Sequence, residues 1–173
     1  MRPNIKRDKT PQQALTSLMR LCARSERSSG DALRLMRGWG VEETEARKVL
    51  ARLLNDGFID DSRYAGAFVR DKIRFGGWGV RKIATALRAK GVAREIIDEA
   101  LSEVDGDDMR ERLITILRRR LPSIKAKSAF ELRDKLLRYA VGRGYDFAIA
   151  RECIEELVKA DDESEFYNNE NIF

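Results

Sequence analysis

Three times along this chain of 173 residues a glycine followed by an apolar residue opens a new helical pattern, at Gly40-Val41, Gly91-Val92 and Gly144-Tyr145, with spacings of 51 and 53. From each glycine the apolar residues return at offsets 6, 9, 10 and 13. They are Ala46, Val49, Leu50 and Leu53; then Ile97, Ala100, Leu101 and Val104; then Ala150, Cys153, Ile154 and Leu157. Those offsets lie on one face of an α-helix. A period near fifty residues confines the chain to a repeat architecture, because a short helical unit with one apolar stripe must find its core partly in its neighbours.

Two more helical segments precede each glycine. In the middle unit the first runs from about Asp61 to Arg74, with Tyr64, Ala65, Phe68, Val69 and Ile73 as its stripe, and the second from about Val80 to Lys90, burying Ile83, Ala86 and Leu87. The outer units predict first helices near 12–24 and 106–120 and second helices near 28–37 and 128–142. The three glycines then serve as left-handed caps that stop the second helices. Pro11 suits a helix start, Asp60 an N-cap with Ile59 and Tyr64 as a hydrophobic staple, and Leu121-Pro122-Ser123 must interrupt the third unit. The expected fold is all-α and elongated: three tandem three-helix bundle repeats at 11–57, 58–104 and 105–160, with a basic segment at 1–10 and an acidic tail at 161–173.

Composition narrows the chemistry. With 36% charged residues, 3 prolines and 12 glycines the chain suits solvated helices and not disorder. It contains no histidine, which removes triads, imidazole acid–base catalysis and imidazole metal sites. Cys22 and Cys153 have no CxxC spacing and sit at apolar helical positions, as small core side chains do. The acid pairs Asp60-Asp61, Asp107-Asp108 and Asp161-Asp162 fall at expected helix starts or in the tail, and no GxxxxGK[ST] loop occurs. No catalytic residue, metal site or cofactor is expected. No apolar run is long enough to span a membrane and no signal-peptide segment follows the basic N-terminus, so the expected location is the cytoplasm.

Residues 58–70, Phe-Ile-Asp-Asp-Ser-Arg-Tyr-Ala-Gly-Ala-Phe-Val-Arg, followed by a Gly-rich turn, Ile83, Leu87, Lys90-Gly91-Val92, Ile97 and Ala100-Leu101, resemble the RecX family of bacterial recombination regulators. Ser25-Glu26-Arg27 to Gly57-Phe58 agrees as well, the third unit matches mainly in pattern, and the similarity covers about residues 12–158. Many members carry Gly-Pro where this chain has Gly79-Val80. The resemblance implies a non-enzymatic, monomeric regulator that binds the RecA filament on single-stranded DNA and restrains its recombinase, ATPase and co-protease activities. It implies contact with the DNA directly or through RecA. The alternative from another class is a general DNA-binding helical module that needs no recombinase.

Charge indicates where such a partner would sit. Net charge is +5, but residues 161–173 hold five acids and no base, which leaves +10 on residues 1–160. Between positions 70 and 90 lie Arg70, Lys72, Arg74, Arg81, Lys82, Arg88 and Lys90 against the single acid Asp71. Arg118, Arg119 and Arg120 head a second cluster with Lys125 and Lys127. These ten residues from Arg70 to Arg120, without the two trailing lysines, are the candidate partner and DNA contacts. Most cations near helix C-termini, Arg37 and Arg138 among them, suit the helix dipole; Arg81 and Lys82 stand in a first turn, where positive charge opposes it. Acids replacing that pair are therefore expected to spare the fold. The third helices are acidic, which argues against a recognition helix entering a DNA major groove. Trp78 invites base stacking, though covering the end of its bundle is the stronger reading.

Overall fold

In a computed structural model, residues 8–169 are described, with side chains to Lys159. Among them are nine α-helices and no strand: α1 (Pro11–Cys22), α2 (Ser29–Gly38), α3 (Glu43–Asn55), α4 (Asp61–Arg74), α5 (Val80–Ala89), α6 (Arg94–Ser102), α7 (Gly106–Arg120), α8 (Ala129–Gly142) and α9 (Phe147–Asn169). The all-α reading in threes holds, and the predicted helix limits agree to within a residue or two. Pro11 opens α1 behind a Thr10–Gln13 capping box. The Asp60 carboxylate accepts the Arg63 N–H at 2.9 Å, and a 3-10 turn occupies Leu121–Ser123. Gly40, Gly91 and Gly144 have φ of 72°, 74° and 91°. These are the left-handed caps that side chains with a Cβ rarely adopt. Two details differ from expectation. Asp105, not the Asp107-Asp108 pair, caps α7, and the backbone of α9 continues through the acidic segment as far as Asn169. Residues 1–7 of the basic segment and the last four residues lie outside the described part.

The chain separates into two compact units, one holding the described residues up to Val69 with Thr85–Ser102, the other Arg70–Ala84 with the residues from Glu103 onward. The division falls inside α4 and α5. In the first unit α1 and α2 pack on α3 around Leu15, Leu18, Met36, Val49, Leu53 and Ile59. In the second, α7 and α8 pack on α9 around Leu113, Leu117, Leu136, Tyr145, Cys153 and Ile154. Of the twelve positions in the glycine-based register, eight are buried and the other four half-buried. The helix after each cap glycine thus turns its stripe inward, as a 3.6-residue period dictates.

One backbone device recurs. The carbonyls at the end of an α-helix have no partner within it, and here the carbonyl just before each cap glycine is taken by another segment. Lys9 N–H donates to the Trp39 carbonyl at 2.9 Å and Gly79 N–H to the Arg143 carbonyl at 2.8 Å. The Ser28 hydroxyl donates to the Lys90 carbonyl at 2.7 Å. Approach this close requires missing side chains. A Cβ on Gly30 would stand 2.3 Å from the Lys90 oxygen, and one on Gly79 the same distance from the carbonyl atoms of Gly144.

Ser28 is fully buried and also caps α2, accepting the Asp31 N–H at 3.1 Å. Ser28→Ala is expected to destabilise the first unit by about 2 kcal/mol, combining a lost cap with an orphaned buried carbonyl. Urea denaturation followed by circular dichroism reads this directly. An unshifted midpoint would mean that another donor, such as water, replaces the hydroxyl.

Candidate partner interface

The ten candidate cations have different surroundings. Arg81 forms an ion pair with Asp146, and the same carboxylate accepts the Ala148 N–H at 2.8 Å at the start of α9. Arg81 N–H also donates to the Gly144 carbonyl at 3.1 Å. Lys90 reaches Asp31 at 3.3 Å. Lys72 and Lys82 place their ammonium groups 5.0 Å and 4.6 Å from the centroid of the Trp78 ring. Trp78 is half-buried, and the two lysines occupy the ring that the sequence offers for stacking. Arg88 donates to the Thr85 hydroxyl at 3.3 Å. Arg70, Arg74, Arg118, Arg119 and Arg120 are exposed and make no ion pair among the described residues.

These surroundings overturn one expectation. The first-turn charge of Arg81 is offset by an acid distant in sequence, so Arg81→Glu would set a carboxylate against Asp146, which is busy capping α9. Arg81→Glu with Lys82→Glu is expected to lower stability by about 1 kcal/mol, the exposed geometry keeping the loss small. Thermal unfolding measures it. A Tm equal to or above the parent's would show that Asp146 does not need its partner.

Two clusters distant in sequence meet at a cleft in the second unit, lined by Arg74, Phe75, Arg119, Arg120, Tyr139 and Arg143 among others. The Tyr139 ring lies under two guanidiniums, Arg120 at 5.3 Å and Arg143 at 5.0 Å. Arg143 donates from Nη1 to the Gly76 carbonyl at 2.8 Å and to that of Gly77 at 3.3 Å, which clamps the turn after α4. Gly77 has φ of 59°, and a Cβ there would meet Ile116 at 2.9 Å. Phe75 stands at the mouth of this turn, 77% exposed, with the Arg74 guanidinium 5.3 Å from its ring centroid. Asp108 and Glu111 line the cleft as well. Asp108 is neutralised by Arg112 at 2.7 Å, a hydrogen bond that raises the Arg112 pKa above its ordinary value.

Sequence reasoning missed Phe75, Tyr139, Arg112 and Arg143. An aromatic residue one place beyond a helix end, before Gly76-Gly77, is the signal that could have found Phe75, but periodicity has no hold on a residue outside the helix. Elsewhere the chemistry is quiet. Burial pushes the thiols of Cys22 and Cys153 up, which disfavours the reactive thiolate. Among the described residues no group of three acids or cysteines is placed to hold a metal, and no helix is long and apolar enough to cross a membrane.

Comparison with known proteins decides the family. Residues 60–101 match the profile of the RecX second three-helix domain and residues 107–154 that of the RecX third three-helix domain. The chain belongs to the RecX family. The regulatory protein RecX of Clostridium botulinum (strain Eklund 17B / Type B) is 28% identical over 137 residues, 78% of this chain and 62% of that protein. RecX of Mycobacterium sp. (strain KMS) is 29% identical over 147 residues, covering 83% and 80%. The chain therefore spans somewhat under two thirds of the clostridial relative and most of the mycobacterial one. The crystal structure of RecX from Lactobacillus salivarius superposes with a TM-score of 0.75 at 18% identity, covering 85% of this chain and 96% of that one. A second crystal structure, of a regulatory protein RecX, gives 0.77 at 20% identity, covering 84% and 71%. RecX proteins thus share this helical fold.

Proposed function

We propose that this chain is a non-enzymatic regulator of a RecA-type recombinase, acting in the cytoplasm as a monomer. It binds the recombinase filament on single-stranded DNA and lowers strand exchange, ATP hydrolysis and co-protease activity. Membership of the RecX family carries this reading. The charge distribution supports it, since an assembly of recombinase and DNA is anionic and the body of this chain is basic.

Within the basic surface the reading assigns the partner contact to Arg70, Arg74, Arg118, Arg119 and Arg120, which have no ion pair to break on binding. Arg81 and Lys90 already serve internal carboxylates and contribute less. Lys72 and Lys82 contribute through their hold on Trp78, and Arg88 as a peripheral charge. The deciding experiment is titration of the protein into a RecA ATPase assay on single-stranded DNA. Inhibition at amounts well below one molecule per recombinase protomer is expected. Inhibition only at saturating amounts, falling with salt as steeply as DNA binding itself, would favour the general DNA-binding module.

A further inference from the structure

We infer that the cleft of the second unit is a single-strand binding site in which an unpaired base stacks on Phe75 while Arg74, Arg119 and Arg120 hold the flanking phosphates. This deepens the proposed function and rests on it for the filament as the setting, but the contact assigned is with the strand and needs no recombinase.

Phe75 is the starting point. An aromatic ring 77% exposed covers no core and contributes little to folding, so the fold leaves it unexplained. The turn that follows it is nonetheless held in place. Arg143 fixes the carbonyls of Gly76 and Gly77, and the two glycines after the ring provide no side chain to obstruct an approaching plane. An exposed ring beside cations, here with the Arg74 guanidinium 5.3 Å from its centroid, is the arrangement with which proteins bind single strands, because every base has a π-face and every linkage a negative charge.

The cations fit the same ligand. Arg74, Arg119 and Arg120 make no ion pair among the described residues, and all three line the cleft with Phe75. Arg120 is ordered by the Tyr139 ring, which reduces the entropy lost when its planar fork meets a phosphate. A folded protein partner is favoured less: of the two acids lining the cleft Asp108 is already spent on Arg112, which leaves Glu111 alone to offer a mixed-charge surface among several arginines. A duplex is also disfavoured, because its bases are stacked on each other and unavailable to Phe75.

The test uses the full chain without recombinase and a fluorescent single-stranded thymidine oligomer, with binding followed by anisotropy across a salt series. Phe75→Ala is expected to weaken binding about tenfold with the salt slope unchanged. Phe75→Trp should retain the affinity. Arg119→Gln with Arg120→Gln should flatten the slope by roughly 0.7 for each phosphate no longer neutralised. A duplex of matching length should bind with no dependence on Phe75. The inference is overturned if the parent protein does not bind the oligomer at low salt, or if Phe75→Ala binds it like the parent. The second result together with lost inhibition of RecA would mark the cleft as a protein contact. Oligomer binding that depends on Phe75 in a protein that fails to inhibit RecA would uphold the cleft and sink the regulator.

Discussion

Gly79→Ala should be among the most damaging single-methyl changes, lowering the stability of the second unit by about 3 kcal/mol and its Tm with it. Gly79 is buried, and the added Cβ would lie 2.3 Å from the carbonyl carbon and oxygen of Gly144 and 2.4 Å from the Tyr145 nitrogen. Backbone atoms cannot swing aside as a side-chain tip can. Relief would require α5 to withdraw from the α8–α9 turn, stretching the hydrogen bonds from Gly79 to Arg143 and from Arg81 to Gly144. The control is Gly142→Ala at the end of α8, where a Cβ meets nothing within 4 Å. That change should be neutral or stabilise by a few tenths of a kcal/mol. Equal melting temperatures for the two variants would show that the approach of Gly79 to Gly144 is not a constraint on the fold. Gly is demanded at this point by the close approach, and the next residue, Val80, need only start a helix.

Charge reversal at Arg119 and Arg120 should produce the largest functional loss. With both changed to Glu, inhibition of RecA's ATPase on single-stranded DNA is expected to fall by two orders of magnitude or more in the concentration needed. Under the proposed function two cations facing an anionic assembly become two anions, and like-charge juxtaposition across an interface costs several kcal/mol. The substitutions put acids at the C-terminus of α7, where the helix dipole penalises each by roughly 0.3–1 kcal/mol, so the fold survives and a thermal melt verifies it. Arg37→Glu with Arg138→Glu is the matched control. Its charge change is the same, yet Arg37 lies in the last turn of α2 and Arg138 is engaged by Asp134 on its own helix. If both pairs lose inhibition equally, net charge is responsible and no local site exists. If the Arg119–Arg120 variant inhibits like the parent, the partner docks elsewhere, with Arg70 and Arg88 the next positions to reverse.

Most of the helices and their limits were determined by the sequence alone, because each depends on residues within a turn or two; the Asp105 cap of α7 and the run of α9 to Asn169 were not. Apolar spacing, Asp60 or Pro11 at a start and a glycine at an end act locally, and the stripes at Ala46–Leu53 and Ala150–Leu157 are buried, or half-buried at Leu50, as their spacing requires. Tertiary structure alone decided which charges are available. Arg81 and Asp146 are 65 residues apart, as are Gly79 and Gly144, and no periodicity reports that they touch. For that reason the first-turn bases of α5 read as a binding surface in the sequence while one of them is a structural pair in the fold. Phe75 lies outside every helix, so only packing could show that it is left in water beside arginines drawn from α4 and α7. A local pattern determines which face a helix buries, but a surface is composed by chain segments that meet only on folding.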